Sequence, residues 1–281
     1  MIRAARSPAR PLETEWALRN ATRRYRRTWI MIPAGELFHH LITYYSNAEA
    51  GDTPCPERRR IKVLDFGCGD GTLVRTLSEL GYAASGCDVV TRWPDGDPRF
   101  SKIDWTPYRL PFEDGSFDFV LSTSVLEHAK NKEDVFREFH RVLRVGGVGL
   151  HLYPSKWFLP VEPHVFVPLL NIFWPRCPNW YLALWAIIGI RNRSQAEMTW
   201  RQVVRANANY CAEGLSYWSN SRLSALATAV FGNSHFPTES YMRFAGGRSV
   251  RLANAVFGGR LGGWFVRTFR HTMLTFEKQT S

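Results

Sequence analysis

The sequence predicts an α/β fold built on a parallel sheet, and three observations carry that expectation. Short apolar runs alternate with amphipathic helical patterns between Ile61 and Tyr153, as in consecutive strand–helix–strand units. One apolar run ends in an acid followed by glycines on alternate positions, Val63-Leu64-Asp65-Phe66-Gly67-Cys68-Gly69-Asp70-Gly71, where the backbone can turn sharply and approach a ligand. The chain has 281 residues, 45% hydrophobic and 22% charged, which suits a packed core and excludes disorder, collagen and coiled coil.

Element by element, an N-terminal helix is expected from about Glu13 to Arg26, then an apolar stretch Leu37 to Tyr45 and a polar linker AGDTPCPERRR. The central segment reads strand IKVLDF, helix TLVRTLSEL, strand AASGCD, strand FDFVLS, helix DVFREFHRVL and strand GVGLHLY. Beyond Pro154 the chain is dense in aromatics from Trp157 to Trp200, followed by a linker YCAEGLSYWSN. The tail reads helix RLSALATAVF, strand SHFPTESYMRF, a helix near Val250 to Phe257 and a last strand HTMLTFEK. Four zones follow: a helical cap and linker at 1–60, a core at 61–153, an aromatic insert at 154–213 and a return to the sheet at 214–281.

Charge is distributed unevenly along these zones. The net charge is +11, yet residues 61–150 hold eleven bases against fourteen acids, while 1–60 hold eleven against six and 151–281 fourteen against five. Thirty of the 36 basic residues are Arg, whose planar donors suit phosphate or carboxylate, so an anionic partner and ordinary solvated faces both stand as readings. The five cysteines include no C-x-x-C pair, so neither a disulfide framework nor a metal site is expected, and a reducing compartment fits. The N-terminal segment lacks an apolar run of the kind that serves a signal peptide, and a cytoplasmic location is expected.

The glycine turn departs from the dinucleotide fingerprint, because Thr72 stands where G-x-G-x-x-G needs its third glycine. Its sequel is more informative. The second strand ends in Asp88, 17 residues after Gly71, where a carboxylate can accept both hydroxyls of a ribose.

Taken together, VLDFGCGDG, Asp88, the pair Asp104-Trp105, LPFEDGSFDFV, VLEH and EFHRVLRVGGVGLHLYPS resemble a class I S-adenosylmethionine-dependent methyltransferase of the ubiquinone/menaquinone (type 11) branch. The resemblance covers residues 61 to 155. It implies a Rossmann-like three-layer sandwich, a mainly parallel seven-stranded sheet with its last strand antiparallel, and S-adenosylmethionine as cofactor. It also implies roles for single residues: Asp65 and the turn Gly67, Cys68, Gly69 and Gly71 at the methionine part, Asp88 and Val89 at the ribose. Asp104 and Trp105 would frame the adenine, and residues around Ser122 to Ser124 would lie beneath the sulfonium. Glu127 and His128, within VLEH, are expected to pack rather than to act.

Methyl transfer from a sulfonium is an in-line displacement, so the protein aligns the acceptor and, for an oxygen acceptor, removes its proton. Candidate groups for that proton are Glu162 and His164, on the turn Val161-Glu162-Pro163-His164 after the fifth strand. An exposed loop with incidental polar residues is the competing reading, and His151, inside an apolar strand, is expected to pack. The stretch Trp180 to Ile190 has eleven residues, short of the ~20 of a membrane span. It reads either as a buried lid over an aromatic pocket or as an interfacial helix on an anionic membrane surface, such as the inner membrane face.

The function expected is therefore methyl transfer to a small-molecule or lipid-linked acceptor, O-methylation favoured. A catalytically silent module that binds membranes or partners is the alternative. Nucleic acid is disfavoured: Ser122-Thr123-Ser124-Val125 replaces the Asn/Asp-Pro-Pro-aromatic turn of base N-methylating enzymes, and no Cys lies between Cys87 and Cys177. The sequence leaves the oligomeric state open.

Overall fold

A computed structural model describes residues 34–50, 60–104, 108–245 and 248–280. The helix expected at Glu13 to Arg26, Cys55 and Trp105 lie outside these residues. The expected α/β architecture is present. Six strands, β1 (Lys62–Phe66), β2 (Ala83–Asp88), β3 (Phe100–Lys102), β4 (Phe117–Thr123), β5 (Leu143–Pro154) and β6 (His271–Glu277), form one sheet in the order β3-β2-β1-β4-β5-β6. All neighbouring pairs are parallel except β5 and β6, which run antiparallel from Val148↔Glu277 to Pro154↔His271.

Strand parity divides the core into two faces. Val63, Phe119, Leu121, Leu150 and Leu152 pack on one side with α1 (Ala34–Ala50) and α2 (Thr72–Glu79). Leu64, Phe66 and Val120 pack on the other with α3 (Lys132–Val142) and Phe276. Between β5 and α6 (Asn220–Phe231), the insert carries α4 (Asn179–Ile188) and α5 (Trp200–Asn209), which continues as a π-helical turn Tyr210–Gly214. It has a small apolar cluster of its own around Val167, Leu182 and Tyr217. Two further helices, α7 (Thr238–Ala245) and α8 (Arg248–Phe269), precede β6.

Two expectations need correction. The sheet has six strands among the described residues rather than seven, because SHFPTESYMRF is not a strand. Only His235 makes a bridge, to Thr275, and α7 begins directly after Pro237, whose missing N–H and fixed φ suit a helix start. The helix expected near Val250 to Phe257 runs on to Phe269, through four glycines that made an earlier end the natural reading.

The order places β1 between β2 and β4, so the chain leaves β1 toward one edge and later returns to its other side. Ligands of such sheets bind beyond the strands' carboxyl ends at this reversal.

Candidate active site

A cavity of about 440 Å³ opens at that reversal. Its wall combines Phe66, Gly67 and Gly69 at the end of β1, Asp88 and Val89 at the end of β2, and Thr123, Ser124 and Val125 at the end of β4, with Tyr108, His128 and Tyr210 around them. The glycine turn is fixed from beneath by β2: the Gly67 and Cys68 amides both donate to the Cys87 carbonyl, at 2.7 and 3.1 Å. Gly67 has φ +75°, and a Cβ there would lie 2.4 Å from Val125 Cγ2. Gly69, at φ +56°, has open space where its Cβ would stand, so a ligand can meet the backbone directly.

Asp88 closes the end of β2, its carboxylate accepting from the Gly69 amide at 2.8 Å and the Val90 amide at 3.1 Å. Asp65 is 3% exposed, and its pKa is pushed up to about 8, chiefly by burial and then by the charges of Asp88 and Asp70. A cation beside Asp65 would offset that repulsion. Two carboxylates at a glycine turn with an open backbone approach fit a ligand carrying a ribose and positive charge, as S-adenosylmethionine does. Gly67, Gly69, Asp65 and Asp88 would hold it, and Val89 stands in the same wall.

The other expected cofactor residues lie as follows. The Cys68 side chain turns into the core against Gly86, leaving its backbone to the turn. Gly71, at φ +75°, caps α2 with its backbone pressed to Phe100. Asp104 is exposed, next to the cavity residue Ile103. Ser122 requires a correction: it is fully buried, and its Oγ pairs with His151 Nδ1 at 2.8 Å. Its parity points it to the α3 face, where His151 stacks between Phe139 and Phe276 at 4.7 and 5.0 Å. Thr123 and Ser124, of the same expected stretch, do line the cavity.

The Glu-Pro-His turn is not an incidental surface loop. Glu162 is 2% exposed and is gripped by four donors: His164 Nδ1 at 2.8 Å, the His164 and Val165 amides at 2.7 and 2.8 Å, and Tyr217 Oη at 2.9 Å. Burial works to raise the Glu162 pKa, but the His164 hydrogen bond and charge hold it below the ordinary value. Burial likewise works to lower that of His164, and Glu162 raises it overall. The His164 ring meets the His128 ring edge-on at 4.9 Å, and His128 lines the cavity, which puts the pair directly behind the cavity wall.

Glu127 and His128, expected to pack, belong to this constellation. His128 Nδ1 donates to the Gly214 carbonyl at 2.7 Å, and the Ser216 amide donates to the Glu127 carbonyl at 2.6 Å. Lys132 Nζ, fully buried, donates to the carbonyls of Ala129 and Ser216 at 2.5 and 2.7 Å. These contacts clamp the end of the insert onto the start of α3. Tyr210 and Tyr217 enter the site from a segment whose aromatic composition alone signalled them.

Comparisons with known proteins single out the segment that carries the glycine turn. Residues 64–150 match the family profile described as a methyltransferase domain. The sterol 24-C-methyltransferase of Schizosaccharomyces pombe is 36% identical over 100 residues, covering 31% of this chain and 26% of that protein. Demethylmenaquinone methyltransferase of Tropheryma whipplei is 36% identical over 92 residues, covering 31% and 38%. The matches thus span well under half the length of these relatives. Among solved structures, an S-adenosylmethionine-dependent methyltransferase from Mesorhizobium loti superposes with a TM-score of 0.48 at 17% identity, over 79% of this chain and 93% of that one. By motif and by sequence match, residues 64–150 resemble a methyltransferase domain of the class I S-adenosylmethionine-dependent type.

Proposed function

We propose that the protein transfers the methyl group of S-adenosylmethionine to a hydroxyl of a small or lipid-linked acceptor. The observation that carries this reading is the Glu162–His164 pair one ring behind the cofactor cavity. An acceptor between the glycine turn and His128 would align its oxygen with the sulfonium methyl. Its proton would pass to the His164 side, where Glu162 holds the imidazole in one tautomer. The curated relatives include methyltransferases named for sterol and quinone acceptors beside one named for sarcosine and dimethylglycine, and the first two support an apolar, ring-bearing class.

The test is methyl-labelled S-adenosylmethionine with a cell extract as acceptor source, followed by partition between organic and aqueous phases. Label in the organic phase is expected. The variant His164→Gln should lower turnover by about 10²–10⁴-fold, the span of a positioned proton acceptor. Undiminished turnover in that variant would remove the pair from the reaction. Absence of label from a cofactor-binding protein, with competent acceptors present, would favour the silent module.

A lipid surface as the place of work draws support from one more observation. Ile172, Trp180, Leu184, Ile187 and Ile188 are exposed, between 46 and 65%, on and beside a helix too short to span a membrane. Among the described residues no helix is long and apolar enough to cross one. We propose a cytoplasmic protein whose apolar row rests on the inner face of a membrane that supplies the acceptor.

A further inference from the structure

Glu127 is 2% exposed, and neither of its carboxylate oxygens has a hydrogen-bond partner. A buried carboxyl in that state lacks the compensation that such groups normally find. What surrounds it is specific. His164 Nε2 lies 3.8 Å from Glu127 Oε1, and one ligating atom from each of Glu127, His128 and His164 falls within 4.8 Å of the other two.

Both imidazoles are oriented as metal ligands are. A carbonyl only accepts, so the His128 Nδ1 facing Gly214 carries the proton. Glu162 receives three other donors, so the His164 Nδ1 facing it is also the protonated nitrogen. In each neutral ring the remaining lone pair is on Nε2. An imidazole whose second nitrogen donates to a carboxylate or carbonyl is the recurrent outer shell of a metal-bound His. Two oriented imidazoles and an unengaged carboxylate thus converge, beside a cavity that His128 and Tyr210 line.

We propose that Glu127, His128 and His164 bind one divalent first-row transition-metal cation, of the Zn²⁺ class, with its open coordination position facing the cofactor cavity. Two nitrogens and one oxygen suit such a cation better than Mg²⁺ or Ca²⁺, which favour all-oxygen sites. A tetrahedral cation at ~2.0–2.2 Å from each ligand needs them about 3.4 Å apart, so the side chains must close by no more than about 1.4 Å from the 4.8 Å limit. The open position takes an oxygen of the acceptor, a role that rests on the methyl-transfer reading above. The bound hydroxyl gives its proton to water, the oxygen forms the new C–O bond, and the methyl–sulfur bond breaks with its electron pair left on sulfur. No oxidant or reductant is involved; His164 is the proton acceptor of the reading above in the cation-free protein and a ligand, with water taking the proton, in the loaded one.

The experiment uses the full-length chain stripped with a chelator, titrated with Co²⁺ and followed by visible absorption, with Zn²⁺ content after dialysis measured by elemental analysis. One equivalent of Zn²⁺ and a Co²⁺ spectrum of four- or five-coordinate type are expected, both lost in Glu127→Gln. Tyr217→Phe, which removes a contact to Glu162, should weaken binding by about tenfold. Calorimetric titration with S-adenosylmethionine checks that each variant is folded. Substoichiometric metal in the wild type, or an unchanged Co²⁺ spectrum in Glu127→Gln, would overturn the site. Metal binding with methyl transfer equally fast in the stripped protein would overturn the acceptor role alone. Metal binding without any cofactor binding would sink the methyl-transfer reading and leave the cation site standing.

Discussion

Asp65 carries a protonation signature that a cationic ligand would change. Its folded pKa, about 8, lies far above 3.8, the ordinary value it would regain on unfolding. Between those values the unfolded chain binds fewer protons, so this group's contribution to stability is largest in acid and declines as pH rises toward 8. A cationic ligand reverses the preference by stabilising the carboxylate. Affinity for S-adenosylmethionine should therefore rise with pH up to about 8 and then level off, with a proton released on binding near neutral pH. Calorimetry in buffers of different ionisation enthalpy measures that proton. Asp65→Asn should remove both the proton release and this part of the pH dependence, and a flat wild-type profile would contradict the assignment.

Residue-level legibility follows contact order. Asp65, the glycines and Asp88 were readable because one turn and one strand end place them together. Of the expected stretch Ser122 to Ser124, Ser122 falls on the far face and the other two on the cavity, because strand alternation shows which residues share a face but not which face meets the ligand. Glu127 and His128 passed for packing residues because the partner that gives them chemical meaning, His164, is 36 positions further on and reaches them only through the insert.

Among the elements, the antiparallel seam between β5 and β6 depends on one small residue. A Cβ on Gly149 would lie 2.2 Å from the Phe276 ring, and that ring stacks on Phe231 at 4.0 Å. Gly149→Ala should therefore destabilise the fold by about 1–3 kcal/mol, the usual cost of overpacking. Thermal unfolding measures it, and a variant as stable as the wild type would show that the seam can repack. β1, β2, β4 and β5 were legible because strands buried on both faces read as continuous apolar runs. β3 was missed since Phe100–Lys102 is three residues long. The run SHFPTESYMRF has a strand-like composition, but proline and a helix start override it.

At the scale of the whole molecule, polarity and charge divide the surface. The acidic segment 61–150 holds Asp65 and Asp88 at the glycine turn, whereas 151–281 is strongly basic and carries the exposed apolar row that includes Trp180, Ile187 and Ile188. Basic charge and exposed aromatics together suit an anionic interface. Flotation with vesicles containing anionic lipid should recover the protein at low salt, less so at high salt, where screening shortens the reach of its charge. Trp180→Ser/Ile187→Ser should reduce recovery with cofactor affinity unchanged. Equal recovery of that variant would remove the apolar row from the interface.

If the glycine turn and Asp88 hold S-adenosylmethionine, affinity must fall when the Asp88 carboxylate is removed. Calorimetric titration of that ligand into the wild type and Asp88→Ala tests it most directly. One site is expected in the wild type, with affinity reduced roughly a hundredfold in the variant, as for loss of about 3 kcal/mol of charge-assisted hydrogen bonds. Equal affinity in the two proteins, or no binding by the wild type, would contradict the account.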